Sequence, residues 1–561
     1  MDRETRRLVE EFRRNDAGPI ENNLIDELVE GDLDRQEFLR RASVFGLGAG
    51  TIGLLLRYIG EADLAFAAPV AGKAGGTLRV GMLGFGSSLE PYQLREAGSL
   101  GLAGIPGEYL TFSNPALQVK PWLATSWKPN ANGTVWTFQL RRGVKFHNGK
   151  TMTADDVVAS FKQYLSQPTS QILASIPPNL LGPEGVVKTG PYTVQFRLKS
   201  PNAAIPWLVS QTTYQAIIQP AAIAAKPGTW VASGMIGTGA FRLKSYTPNR
   251  RAELVRFPRY WGGRPPLDGA VLTFYEGSAP MVLALRAGQL DLCQQLSPQE
   301  GRAFRNNSRY KVYTSPSSHH TMFGLRVDRD PFRDPRVRRA VALAIGRPDI
   351  IARVLLGQGT LGNDSPFWSR FPSTDPSIHQ RKKNVALAKA LLQAAGQPNP
   401  KFTITTWNGI ELPDYATAVQ AMGREAGIDI DLEVMSNDDY YGGGADYYAT
   451  TPWINRQATM TEYGAAGVPN RYLTAAYQSD GIWNAAHYKN AAFDSAAKSF
   501  LAAPDLKGQR AATKKLAGIL LRDTPVITAY FNTYVTAASS KVKNYQVESL
   551  SQVRIAHTSL A

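Results

Sequence analysis

Strand-like and helix-like runs alternate along most of this chain, and that alternation constrains its fold more than any other feature of the sequence. Runs with β-branched or aromatic content recur at Gly75–Leu83, Thr134–Leu140, Tyr192–Leu198, Ala270–Glu276, Lys401–Trp407 and Ile428–Met435. Alternating with them are stretches with apolar residues at three- and four-residue spacing. Val337–Gly346 and Val385–Gly396 are examples, each ending on a glycine that reads as a helix C-cap. At Thr153-Ala154-Asp155-Asp156 a threonine cap is expected, with Asp156 at the third helical position beside the positive helix end. The mixed order predicts α/β lobes. At roughly 100 to 200 residues per domain, 561 residues predict about three to five lobes or domains.

The chemistry of the side chains narrows the functional classes. Cys293 is the only cysteine, which excludes an intramolecular disulfide and a zinc site built on several thiolates, and none of the six histidines falls in an HExxH spacing. The formal charge of +16 is unevenly placed: residues 1–67 carry a net −5, which leaves +21 on the rest. With no block of five or more consecutive Lys/Arg and no helix-turn-helix or zinc-finger spacing, the body does not read as a nucleic-acid binder. A dispersed positive surface suits anionic ligands.

The first 67 residues read as an export signal. Asp34–Leu56 has a basic segment followed by a Gly-rich apolar stretch. The apolar run Ala42–Leu56 is 15 residues long and ends at Arg57, short of the ~20 needed to span a bilayer. Ala65-Phe66-Ala67 supplies the small-x-small pattern a signal peptidase requires, so cleavage is expected after Ala67, with delivery to the periplasm. Asp34-Arg35-Gln36-Glu37-Phe38-Leu39-Arg40 resembles a twin-arginine signal in which Gln36 replaces the second arginine, and both the twin-arginine and the general secretory routes fit.

Catalytic motifs are lacking. There is no GxSxG elbow, no Walker A sequence and no GxGxxG opening a helix after a strand. The adjacent carboxylates Asp155-Asp156 and Asp438-Asp439 point about 100° apart on a helix and read as helix-start charges. Scaffold roles are expected for Val135, Phe138 and Leu140 on a buried strand face, and for Gly143 in a tight turn. Arg336, Arg338 and Arg339 are expected in ion pairs along a helix, and Tyr260-Trp261 over the Gly262-Gly263 turn. No enzyme, metal or cofactor is expected.

Pro121–Phe161, with its PWLATSWKPNANGTVWTFQLRRGVKFHNGKTMTADDVVASF, resembles the signature of the bacterial extracellular solute-binding proteins of family 5. Further blocks match in order at Gly237–Gly263, Leu285–Leu292, Pro331–Ile351, Ala388–Gly396 and Asn484–Asp494, so the resemblance covers nearly all of the chain beyond the signal. It implies a periplasmic-binding-protein fold: two α/β lobes joined by hinges clasp a ligand, with an extra domain. Lobe I would comprise 68–110, 218–325 and 529–561, the extra domain 111–217, and lobe II 326–528. The implied function is a monomeric periplasmic receptor that captures a peptide-like or other small anionic solute and presents it to ABC permease and ATPase subunits. A peptide-binding chaperone or a signalling receptor on the same fold is the alternative.

The resemblance also points to ligand contacts. In peptide-binding members a Trp is followed three residues later by an Asp that holds the peptide's α-amino group. Here Trp453-Ile454-Asn455-Arg456 ends in the opposite charge, so Arg456, with Trp453 and Asn455 beside it, is expected to meet a carboxylate or phosphate. His319 and His320 stand where the family's chain crosses the cleft floor, and as neighbours on a strand they face opposite sides. Trp407, ending a strand in lobe II, is expected to stack on the ligand.

Overall fold

The computed structural model describes residues 75–561 except 87, 115–116, 410, 444–446, 504–505 and 549–551. The signal expected at 1–67 lies outside the described residues. Lys73–Ala561 forms one compact unit. Among the described residues no helix is long and apolar enough to cross a membrane.

In chain order the strands are β1 Thr77–Leu83, β2 Thr111–Ser113, β3 Val119–Pro121, β4 Ala124–Pro129, β5 Val135–Leu140, β6 Val186–Gly190, β7 Thr193–Arg197, β8 Phe241–Thr247, β9 Arg251–Arg256, β10 Gly269–Tyr275, β11 Leu292–Leu296, β12 Tyr310–Leu325, β13 Gly359–Leu361, β14 Lys401–Trp407, β15 Asp429–Met435, β16 Ala458–Tyr463, β17 Val526–Ile527, β18 Tyr530–Ser539, β19 Val542–Lys543 and β20 Ser559–Leu560. The six runs read as strands from sequence are all strands, with ends moved by at most two residues. Their alternation of apolar and polar side chains is a local property, so local reading suffices.

Twelve strands share one sheet, ordered β15-β14-β16-β12-β18-β11-β1-β10-β9-β8, with β13 on β18 and β17 on β12. Two long strands tie its halves together. β12 pairs antiparallel with β18 from Tyr310 to Pro316, shifts register between Pro316 and His320, and then pairs with β16 from His320 to Leu325. β18 pairs with β11 through Val535–Ala538 and with β13 through Tyr530–Asn532. On one side of the shift β1 is parallel to β10 and β11; on the other β14 is parallel to β15 and β16. Separate apolar cores follow, one around Leu78, Val80 and Leu272 and another around Phe402, Ile404 and Val419.

A second, antiparallel sheet, β4-β5-β7-β6, packs against the helix Ala154–Ser166. That helix starts as its sequence dictates: the Asp156 carboxylate accepts from the Thr153 N–H at 2.8 Å. In β5 the buried set is Trp136, Phe138 and Leu140, while Val135 lies on the opposite, partly exposed face. The expected pairing of Val135 with Phe138 fails because residues an odd number apart on a strand face opposite ways. Gly143 adopts φ +77°, the turn conformation expected of it.

Two helix expectations are also corrected. Gly346 has φ −83° and caps the start of the next helix, Arg347–Arg353, rather than closing Pro335–Ala344 in a left-handed turn. Arg338 is buried and donates to the carbonyls of Arg333 and Asp523 at 3.2 and 2.8 Å, so it satisfies the C-terminal end of the helix Leu506–Asp523 instead of forming an ion pair. Arg336 does pair with an acid, Asp334, at 2.6 Å.

Candidate functional site

Strand register locates the site before any side chain is considered. Tyr463, the last residue of β16, stands opposite His320, the residue at which β12 resumes pairing after its shift. Because β14 and β15 run parallel to β16, their ends at Trp407 and Met435 point to the same edge. On the other half Leu296 of β11 lies across from Val535, toward the stretch of β18 that faces the shift, and β1 runs parallel to β11. Both parallel groups therefore present their C-terminal ends to one line across the sheet, the place where open α/β sheets leave a crevice for ligands.

Aromatic side chains fill that line. The His320 ring lies 5.8 Å from Tyr463, 4.8 Å from Tyr472 and 5.1 Å from Phe531. Tyr463 in turn contacts Trp453 at 6.4 Å and Trp483 at 5.9 Å. His320 Nδ1 is 2.9 Å from the Ser318 carbonyl and so carries the proton, which leaves Nε2 as an acceptor; that atom is sealed from solvent and has no partner. His319 takes the other side of the strand, stacked on Tyr534 with rings 4° from parallel. Its Nδ1 accepts from Asn532 Nδ2 at 3.2 Å, and the same amide donates to Glu411 at 2.9 Å. Burial lowers both imidazoles to a pKa of about 4, so both are neutral at pH 7.

The loop after β16 is gripped from several sides. Ser318 Oγ donates to the Ala466 carbonyl and accepts from the Ala466 N–H, at 2.7 and 2.8 Å. Tyr472 OH donates to the Gly464 carbonyl at 2.7 Å. Tyr214, more than two hundred residues away in sequence, donates to the Ala465 carbonyl at 2.9 Å. Trp407 folds back over Gly409, where an added Cβ would come within 2.0 Å of the ring. Its Nε1 donates to Glu462 at 2.9 Å, and Tyr441 OH reaches the same oxygen, also at 2.9 Å. Burial raises the Glu462 carboxyl to about 7.

The structure thus brings together His320, Trp407 and Trp453 of the residues singled out by sequence, joined through Tyr463 and Tyr441, and sets His319 on the opposite face of β12. It leaves Arg456 and Asn455 aside. Arg456 precedes the N-terminal end of β16, is 47% exposed, and pairs with Glu433 at 3.3 Å. The Asn455 amide is used locally, donating to the Tyr448 and Thr451 carbonyls at 3.1 and 2.9 Å. The anion-receiving role expected of Arg456 therefore has no support in its surroundings: its charge is met by a carboxylate of its own chain. Sequence reading missed Tyr463, Tyr472, Trp483 and Tyr214. The only local signal was the aromatic-rich segment that follows β16, which carries no chemistry-bearing spacing. Among the described residues no group of His, Cys, Asp and Glu is arranged to hold a metal ion.

The fold is shared with known proteins. The family of bacterial extracellular solute-binding proteins, family 5 Middle, matches residues 118–484. The nickel-binding protein NikA of Staphylococcus aureus is 27% identical over 82% of this chain and 89% of its own length. The oligopeptide-binding protein AppA of Bacillus subtilis is 24% identical over 84% of this chain and 89% of its own length. Among solved structures, the periplasmic binding protein DppA of Helicobacter pylori, in complex with the peptide STSA, superposes with a TM-score of 0.73 at 24% identity, covering 87% of this chain and 98% of its own. That likeness extends the fold across nearly all of the compact unit.

Proposed function

The chain belongs to the bacterial extracellular solute-binding proteins of family 5 and so binds a solute. From that premise we propose that it is the periplasmic capture component of an ABC importer, which takes a peptide-like or other small anionic solute and hands it to a permease driven by ATPase subunits. One observation carries the reading: the C-terminal ends of both parallel strand groups converge on the register shift of β12, where an aromatic cluster holds a sealed His320 nitrogen without a partner. His320, Trp407 and Trp453 are the proposed residues of its wall, and of the two histidines at most one faces the solute. Relatives named for nickel and for oligopeptides share the family, so side chains rather than the fold select the solute.

The proposed lobes are 68–110 with 218–325 and 529–561, and 326–528, with 111–217 as the additional domain. β12 and β18 are the proposed hinge strands, since an enclosed solute needs a cleft that opens, and closure must be tied to contacts made only when shut. Export with loss of residues 1–67, a monomeric state and the absence of catalysis complete the proposal; N-terminal sequencing of exported protein is expected to begin near Ala68.

The test is made on protein lacking residues 1–67. Native mass spectrometry is expected to find a bound small molecule, and X-ray scattering a smaller radius of gyration for loaded than for stripped protein. Coincident scattering curves at saturating ligand would sink the hinged capture.

A further inference from the structure

Most inward-facing guanidiniums of this protein are matched by groups of the protein itself. Arg347 and Arg381 share Asp364, Arg326 pairs with Asp328 at 2.8 Å, Arg554 pairs with Glu548 at 3.2 Å, and Arg338 caps backbone carbonyls. Among the described residues Arg471 is the exception. Its Nε and Nη1 are sealed from solvent and neither has a hydrogen-bond partner, and it makes none of the ion pairs among the described residues. Its guanidinium lies 4.9 Å from the Trp483 ring and 6.0 Å from the Tyr214 ring. Burial disfavours its charge, and the phenols of Tyr214 and Tyr472 beside it are neutral at pH 7 and offer no counter-charge. Cation–π contact offsets part of the lost hydration but supplies no acceptor for an N–H.

Position adds a second, independent indication. Arg471 sits at the end of the loop that leaves the C-terminal end of β16, in the turn Asn470–Tyr472, and the chain then continues as a π-helical turn, Leu473–Tyr477. Such turns are rare and recur at functional sites. Tyr214 comes to the same spot from the segment proposed as the additional domain and ties it down through the Ala465 carbonyl. Arg471 therefore stands on the line across the sheet where ligand is expected, beside the cluster that contains His320 and its unpartnered Nε2.

We infer that Arg471 is the anion receptor of the site, and that it reads the carboxylate of a peptide-like solute when the cleft closes. The inference rests on the proposed capture function and assigns its charge selectivity to one residue. The chain carries the positive charge internally and leaves the acceptor to the ligand, so a solute without an anion strands the guanidinium's N–H groups.

The experiment compares stripped wild-type protein with Arg471→Gln, Arg471→Lys and, as matched control, Arg456→Ala. Calorimetric titration uses a pool of tripeptides with free C-terminal carboxylates and the same pool C-terminally amidated. Wild type is expected to favour the acid pool by about tenfold or more; Arg471→Gln should lose that preference, Arg471→Lys should keep part of it, and Arg456→Ala should stay within about threefold of wild type. Equal wild-type affinity for acid and amide overturns the inference.

Thermal stability of the stripped proteins supplies a readout that needs no peptide. Removing an unpaired charge should leave the Tm of Arg471→Gln equal to or above wild type, whereas a fall of more than about 5 °C marks Arg471 as a structural stacking residue and overturns its assignment. If wild type binds neither pool, the peptide reading of the function fails, and inorganic phosphate decides Arg471 separately. Phosphate that raises the Tm of wild type but not of Arg471→Gln upholds an anion receptor of another solute class; equal effects on both reject it.

Discussion

Glu108 is a buried carboxylate with four neutral donors and, among the described residues, no ion pair. Trp122 Nε1 and Tyr260 OH reach one oxygen at 3.0 Å each, and Thr238 Oγ1 and Trp261 Nε1 reach the other at 2.7 Å each. Burial raises its carboxyl to about 7 against the pull of these donors. A Glu108→Gln change keeps the shape but sets an NH2 group against an indole N–H whichever way the amide is turned. The expected cost is about 1–3 kcal/mol, read from denaturant unfolding, and a variant within about 0.5 kcal/mol of wild type would show the donors to be unimportant. Nothing in the sequence around Glu108 announces this role. Tyr260-Trp261 read from sequence as a pair packed over a turn, which they are, with Gly263 at φ +95°, but their shared acceptor lies about 150 residues earlier and became visible only in the fold.

At the scale of elements, two glycines that look alike in sequence part company. Gly396 has φ +69°; its N–H donates to the Gln393 carbonyl and that of Gln397 to Leu392, both at 2.9 Å, which closes the helix Val385–Ala394 in the left-handed turn expected of it. Gly346 also follows a helix, yet the backbone there is taken at once into another helix. A Cβ on Gly396 would meet no atom within 4 Å, so Gly396→Ala isolates the backbone penalty. We expect a loss of about 1–2 kcal/mol in urea unfolding with an unchanged m-value, and a neutral result would contradict the left-handed cap. Strand limits were legible to within two residues because pleat alternation is local. The register shift in β12 was not legible, since it depends on β16 and β18, whose sequences lie more than a hundred residues downstream.

For the whole molecule, titrating groups of opposite sign shape the stability curve. His319 and His320 fall from 6.5 to about 4, so the stability they contribute is present above pH 6.5 and is lost as the pH drops through 4. Glu108 and Glu462 rise from 4.5 to about 7, so theirs is present below pH 4.5 and is lost as the pH climbs through 7. Between pH 4.5 and 6.5 the two sets oppose each other, and a shallow dependence of Tm on pH is expected there. In Glu108→Gln one acid-side gain is gone. The stability gap between wild type and this variant should therefore widen by on the order of 3 kcal/mol as the pH falls from above 7 to 4.5. A gap independent of pH would mean that Glu108 stays ionised throughout.

The sequence by itself determined what depends on near neighbours: the α/β alternation, the strands, the cap at Thr153 and Asp156, the turn at Gly143, and through its ordered blocks the family. Periodicity and capping act over two to four residues, so they are written in the chain directly. Tertiary structure alone decided which charges the protein satisfies for itself. Arg456 and Arg471 are fifteen residues apart and chemically identical, yet one meets Glu433 at the surface while the other is enclosed by Tyr214 and Trp483 with two nitrogens unmatched. Their difference is burial and the partners at hand: Glu433 and Trp483 are near in sequence, but Tyr214, which helps to enclose Arg471, is brought by the fold from more than two hundred residues away.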